Sequence, residues 1–253
     1  MTTQGAFVWY DLMTSDMPAA EAFYGAVVGW QARDSGMPGH AYSLFTVDER
    51  PAAGLMTLPQ EARDMGVPPC WTGYVAVSDV DAAVAAMQAD GGAVRKGPED
   101  IPGVGRFAVV ADPQGAVLCI FRGEGDMPPP PAGTPGYMGW HELMTSDLDA
   151  GFAYYARHLG WSKAEAIDMG ELGPYQIFAH EAVPIGGMMK QPPFIQVSHW
   201  RFYINVSDIK AAQNEVKSGG GEILQGPMPV PGGSWVLQCR DPQGAFFALV
   251  APQ

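Results

Sequence analysis

Basic residues are scarce in this chain: 14 Lys and Arg stand against 27 Asp and Glu in 253 residues, a formal net charge of -13. Such a surface repels phosphate backbones and anionic headgroups, so no nucleic acid and no membrane is expected as a partner. Cysteine is sparse as well. Cys70, Cys119 and Cys239 are odd in number and lack CxxC spacing, which argues against a disulfide framework or a zinc knuckle and leaves buried free thiols as the expectation. No window reaches the roughly 18 apolar residues of a membrane span, and Met1-Thr-Thr-Gln-Gly-Ala-Phe7 has neither the basic nor the apolar part of a secretory leader. A cytoplasmic protein is expected. Walker loops, GxSxG elbows and HExxH helices are all missing, so nucleotide, serine-hydrolase and zincin chemistry find no support.

What is present is said twice. Trp9-Tyr-Asp-Leu-Met-Thr-Ser-Asp16 returns as Trp140-His-Glu-Leu-Met-Thr-Ser-Asp147, with six of eight positions identical. Trp71-Thr-Gly-Tyr-Val-Ala-Val-Ser-Asp79 is echoed by Trp200-Arg-Phe-Tyr-Ile-Asn-Val-Ser-Asp208, and Asp112-Pro-Gln-Gly-Ala116 by Asp241-Pro-Gln-Gly-Ala245. Three collinear matches mark a duplication too long for a solenoid repeat, so each copy is expected to be a domain with its own core. With 47% apolar and 16% charged residues the chain has the material for two such cores. Between the copies, Gly123 to Gly136 carries consecutive prolines that favour an extended polyproline II segment. The expected division is 1–124, a linker at 125–136, and 137–253.

Inside each copy an alternating strand (Phe7 to Met13; Met138 to Met144) runs into Thr-Ser-Asp, where Asp16 or Asp147 is placed to cap a helix. Both helices are predicted to stop at Gly-Trp, Gly29-Trp30 and Gly160-Trp161, because glycine adopts the left-handed turn that ends a helix. Strand-like stretches follow at Ala41 to Val47 with Gly54-Leu-Met56, and at Tyr175 to Ala179 with Gly187-Met-Met189. Then the pattern restarts: Trp71 to Val77 leads to a capping Asp79, a helix running to Asp90-Gly-Gly92, and strands flanking Asp112-Pro-Gln-Gly115. Strand runs interrupted by one helix per unit predict an α+β fold rather than a doubly wound one.

This ordered set resembles the vicinal oxygen chelate superfamily, the group of glyoxalase I, bleomycin-resistance proteins and extradiol dioxygenases. The features that carry the resemblance are the first strand, the Ser-Asp helix with Phe23-Tyr24 or Tyr154-Tyr155 ending in Gly-Trp, the second Val-Ser-Asp unit and the closing Asp-Pro-Gln-Gly turn. It covers nearly all of the chain outside the linker. The resemblance implies tandem duplicated βαβββ modules forming two open cups. It also implies metal ligands at Trp9, Thr72 and Cys119 in the first cup, and at Trp140, Arg201 and Ala248 in the second. None of these is an ordinary hard-cation ligand except conceivably the thiol, and Arg201 would repel a cation. Ligands slipped by two residues along the strands would be Asp11, Cys70 and Tyr74, or Glu142, His199 and Tyr203. Glu142 with His199 is the better pair, but the last strand offers only Phe246, Ala248 and Val250. No metal and no other cofactor is therefore expected.

Pockets lined by organic side chains remain. If Trp140 points inward, Glu142 follows, and the neighbouring strand adds Arg201, Tyr203 and Asn205. Apolar walls with a few polar anchors suit a small-molecule ligand or substrate. Arg201 is the candidate clamp for a carboxylate or enolate, and Glu142 the candidate general base; the two are equally accounted for as a structural ion pair. The first copy offers Trp9, Asp11, Thr72 and Tyr74 without a cation. Cys119 is expected to be an inert thiol, and His141 to face away from the cup. His40, His158 and His180 have no recognisable partner, and the Asn205-Val-Ser207 sequon falls in a predicted strand. The functional expectation is metal-free binding of a small organic molecule, either to sequester it or to carry out proton-transfer chemistry on it. The alternative is a metal-dependent lactoylglutathione-lyase-like or dioxygenase enzyme with shifted ligands. Exposed sheet edges are compatible with a homodimer without requiring one.

Overall fold

A computed structural model of the chain describes residues 3–37, 41–125 and 128–252. The first copy runs β1 (Phe7–Thr14), α1 (Met17–Val28), β2 (Gln31–Asp34), β3 (Tyr42–Val47), β4 (Arg50–Thr57), α2 (Gln60–Asp64), β5 (Cys70–Ala76), α3 (Val80–Ala89), β6 (Ala93–Ile101), β7 (Gly105–Ala111) and β8 (Val117–Gly123). The second repeats it with β9 (Met138–Thr145), α4 (Leu148–Leu159), β10 (Ser162–Asp168), β11 (Pro174–His180), β12 (Val183–Lys190), β13 (His199–Asn205), α5 (Ile209–Ser218), β14 (Glu222–Val230), β15 (Ser234–Arg240) and β16 (Phe246–Pro252). The sheet orders are β2-β3-β4-β1-β5-β8-β7-β6 and β10-β11-β12-β9-β13-β16-β15-β14. In each βαβββ module the first and fourth strands are parallel, while the second to fourth form an antiparallel meander. The architecture is α+β, built of tandem duplicated βαβββ modules.

Local chemistry fixes the helices. Asp16, Asp79, Asp147 and Asp208 each sit at an N-cap in extended conformation and accept a backbone N–H from the first turn at 3.0 Å. That fills donors a helix start leaves open. Gly29 and Gly160 end α1 and α4 at φ 86° and 74°, a region that a side chain would strain.

Four strands that the βαβββ modules require had no residues assigned to them from the pattern: β2, β6, β10 and β14. Each lies at a sheet edge, and their residues are largely exposed. A strand with few buried side chains has little apolar alternation to show. The short helix α2 starts at Pro59 without a side-chain cap and buries nothing, so it too left no trace in the pattern. In the linker, Pro128 to Thr134 is neither helix nor strand, and turns bond Thr134 N to Pro131 O and Tyr137 N to Thr134 O. His40 lies outside the described residues.

The compact units do not coincide with the copies. Unit one is Met1–Val8, Gly73–Pro129 and Trp140–Arg201; unit two is Trp9–Thr72, Pro130–Gly139 and Phe202–Gln253. Each therefore combines one module from each copy, with α3 against α4 in the first and α1 against α5 in the second. Within each unit, hydrogen bonds run from one copy to the other. In unit two, Trp71 Nε1 donates to Tyr24 OH at 2.9 Å, and that hydroxyl donates to Asp241 Oδ2 at 3.1 Å. Unit one makes the same chain from Trp200 through Tyr155 to Asp112, at 3.1 and 3.0 Å. The other oxygen of each aspartate closes its own Asp-Pro-Gln-Gly turn. Asp112 accepts Gln114 N and Ala116 N at 2.9 and 2.8 Å, and Asp241 accepts Gln243 N and Ala245 N at 3.0 and 2.8 Å. Burial raises both carboxyls and both phenols above their ordinary pKa ranges.

Around these chains the aromatic cores close. Trp161 stacks on Phe178 with centroids 4.5 Å apart in unit one, and Trp30 on Phe45 at 4.7 Å in unit two. The indoles of Trp161 and Trp30 also donate to the carbonyls of Gly5 and Gly136, both at 2.8 Å. Removing the Tyr24 or Tyr155 hydroxyl strands a buried carboxylate oxygen. Tyr24→Phe and Tyr155→Phe are each expected to lower the urea-unfolding free energy by about 1.5–3 kcal/mol; a loss within error for both would show that the bond is not stabilising.

Candidate functional site

The two copies build the same constellation on one backbone plan. In unit two Asp11 on β1 pairs with Gly54 on β4, and Gly54 with Leu44 on β3. Tyr42, two residues from Leu44 on β3, lies diagonal to Gly54, within reach of a long side chain. A Cβ at Gly54 would fall inside the Tyr42 hydroxyl and the Asp11 carboxylate. Glycine is what allows the ring to cross the strand. Unit one repeats this, with Glu142 beside Gly187 and Gly187 beside Ile177. A Cβ at Gly187 would fall inside the Tyr175 ring.

The hydrogen bonds differ where the geometry is shared. In unit two Trp9 Nε1 donates to Asp11 Oδ1 at 2.9 Å and to Tyr42 OH at 2.8 Å, and Tyr42 OH donates to the same Oδ1 at 2.7 Å. Burial first, and then the Asp11 charge, push the Tyr42 phenol well above its usual value. In unit one Trp140 Nε1 donates to Tyr175 OH at 2.8 Å, but Tyr175 OH reaches Glu142 Oε2 only at 3.3 Å. Arg201 Nη1 contacts Glu142 Oε1 at 3.4 Å. Both of these contacts are long for charge-assisted bonds, which settle near 2.7–2.9 Å.

Arg201 is the exceptional group. It is 6% exposed, and its one hydrogen bond among the described residues is the long contact to Glu142. A guanidinium has five N–H donors, so most of its capacity is unengaged by protein. The equivalent of Arg201 in the first copy is Thr72, also buried, which is hydrogen-bonded to the half-buried Cys70. Burial pushes the Cys70 thiol up to about 11, so it is a thiol rather than a thiolate near neutrality.

The remaining sequence candidates are placed as follows. Tyr74, in unit one, packs near Phe107 and Phe121 and pairs with Cys119. Tyr203, in unit two, accepts from Gln238 Nε2 at 3.1 Å and pairs with Ala248. Asn205 Nδ2 donates to the Tyr137 carbonyl at 2.9 Å, which commits its amide to holding the segment ahead of β9. Trp140, Glu142 and Arg201 are thus brought together, as are Trp9 and Asp11. Tyr42 and Tyr175 were missed. A signal existed: Tyr-x-x-Phe occurs at Tyr42 and Tyr175, with Gly54 and Gly187 the same twelve residues further on.

The metal positions implied by the resemblance present indole, hydroxyl and thiol in one copy, and indole, guanidinium and methyl in the other. That donor set does not fit a divalent cation. No group of three His, Cys, Asp or Glu side chains among the described residues is arranged to hold one. The shifted pair is no better, since Glu142 faces the Arg201 guanidinium, a cation two residues from His199 on the same strand.

Family comparison agrees with the fold. The model of the Glyoxalase/Bleomycin resistance protein/Dioxygenase superfamily matches residues 6–120 and 137–249. The chain belongs to this superfamily. Among relatives of this glyoxalase-superfamily chain, CFP32 of Mycobacterium bovis, named as a candidate glyoxylase, is 30% identical over 251 residues, covering 98% of this chain and 95% of its own. The anthracycline biosynthesis protein DauV of a Streptomyces species is 31% identical over 258 residues, covering 97% and 93%. Similar solved folds include a Mn(II)-bound glyoxalase from Novosphingobium aromaticivorans, with TM-score 0.66, 18% identity and 99% and 83% coverage. Another is the 2,3-dioxygenase LapB from a Pseudomonas species, with TM-score 0.65, 13% identity and 99% and 93% coverage. At those identities the likeness is one of fold.

On the opposite face of β9, His141 stacks on Phe7 with centroids 3.8 Å apart and hydrogen-bonds the Ile185 carbonyl. The carbonyl only accepts, so Nδ1 carries the proton. Burial lowers the imidazole pKa to about 4. Unfolded, it would take up a proton near pH 6.5, so acid favours the unfolded chain between pH 6.5 and 4 and adds nothing more below 4. Over that window the wild type is expected to lose about 3 kcal/mol more than His141→Phe; parallel urea curves for the two proteins would exclude this linkage.

Proposed function

We propose that this superfamily member binds a small anionic, partly aromatic organic molecule in unit one and does so without a metal. The observation that carries the reading is Arg201: a buried cation whose donors outnumber its protein acceptors, beside an indole and a phenol. Paired at 3.4 Å with Glu142, it gains more from a carboxylate or enolate taken bidentately. Trp140 and Tyr175, both half-buried, offer that molecule stacking surface. Glu142 is then the group that exchanges a proton with the bound molecule. Unit two has the same indole, phenol and carboxylate but no cation at Thr72, and its short bonds favour a structural role there. The name of the anthracycline biosynthesis relative supports an aromatic ligand.

Calorimetry with benzoate as the probe tests this. Arg201→Ala is expected to weaken binding by at least about tenfold, the loss of one charge-assisted pair, while Thr72→Ala leaves it unchanged and chelator treatment has no effect. Binding that vanishes with chelator and returns with Mn(II) or Zn(II) would instead support the metal-dependent reading with shifted ligands.

A further inference from the structure

Arg201 has a neighbour of unusual disposition. His199 precedes it by two residues on β13, so both side chains leave the same face of the strand. The residue between them, Trp200, goes the other way and donates to Tyr155 in the aromatic core. The ring orientation of His199 is set by its bond from Nδ1 to the Val197 carbonyl at 3.0 Å. Because a carbonyl oxygen cannot donate, the proton is on Nδ1 and the lone pair is on Nε2. Nε2 makes no hydrogen bond among the described residues. Burial, with the Arg201 charge adding to it, holds the imidazole below its ordinary pKa. The site thus presents a cation with spare donors and, beside it, an acceptor with a spare lone pair.

We propose that His199 makes the Arg201 site selective for anions that carry a hydroxyl group at the end remote from the negative charge, the hydroxyl donating to His199 Nε2. This rests on the anion-binding reading of Arg201. Alternate residues on a strand are about 6.4–6.8 Å apart, close to the span of a para-disubstituted benzene ring. A flat hydroxyaryl acid bridges that interval and lies along the Trp140 and Tyr175 rings. A neutral acceptor rewards the hydroxyl and gives nothing to a methyl ether of the same shape. The first copy has Cys70 and Thr72 at the corresponding positions, already hydrogen-bonded to one another, so the selectivity belongs to unit one alone.

The test is calorimetric binding of benzoate, 4-hydroxybenzoate and 4-methoxybenzoate to the wild type, His199→Ala and His199→Gln. The wild type is expected to favour 4-hydroxybenzoate over the other two by about fivefold, the worth of one neutral hydrogen bond. His199→Ala should keep benzoate affinity and lose the preference, and His199→Gln, which retains an acceptor oxygen, should recover part of it. Equal affinities in the wild type, or a preference that survives in His199→Ala, would overturn the assignment while leaving the anion site intact. Loss of benzoate along with the hydroxy acid in His199→Ala would overturn it too, since His199 would then be shaping the pocket rather than reading a hydroxyl. Failure of benzoate to bind the wild type would remove the anion site and this inference together.

Discussion

A phenol donating to a buried aspartate, once in each unit, is the bond on which the arrangement inside each unit depends. Tyr24 reaches Asp241 and Tyr155 reaches Asp112. The carboxylate at each end has two tasks: one oxygen fastens its own Asp-Pro-Gln-Gly turn, and the other receives a hydroxyl from a helix of the other copy. A carboxylate with little solvent is tolerated only when such donors surround it. With Trp71 and Trp200 donating in turn to the two phenols, indole, phenol, carboxylate and turn form a continuous polar thread within each unit. Each thread joins residues of both copies within its unit.

Against this common frame the two carboxylate clusters diverge. Trp, Tyr and Gly occupy equivalent places in both units, and the strand registers that bring them together are the same. Asp11 is held by bonds of 2.7 and 2.9 Å, whereas the longer Glu142 makes contacts of 3.3 and 3.4 Å. One extra methylene and one exchange of threonine for arginine place a cation beside the carboxylate in unit one, at a longer contact than any in the Asp11 cluster. Chemistry has been altered by side chains while the backbone stayed put.

Much of this was legible in the sequence, and what was not has a physical cause. The four aspartate caps and the two glycine helix ends are local, set by residues within a turn of one another, and they occur where the pattern placed them. The pairing of Glu142 with Arg201 followed from strand alternation plus the repeat. Edge strands such as β2 and β10 escaped notice because their residues are largely exposed, so no periodicity of burial is written into them. Tyr42 and Tyr175 escaped because they reach their carboxylates diagonally across a third strand, a relation that no spacing along one strand encodes. The thread from Tyr24 to Asp241 spans 217 positions, and only a folded chain makes it visible.

The reciprocal Tyr–Asp bonds also govern how this chain can change over generations. A substitution in the turn at Asp112 is felt by the helix carrying Tyr155, and one at Asp241 by the helix carrying Tyr24, so neither half is free to drift at these clasps. Deleting either half would strip the survivor of both a donor and an acceptor in one event, which makes the ancestral doubling hard to undo. Novelty is left to the faces the clasps do not involve. Within this one molecule the two halves still agree at Tyr24 and Tyr155, Trp71 and Trp200, and Asp112 and Asp241, and have parted company at Cys70 and His199 and at Thr72 and Arg201.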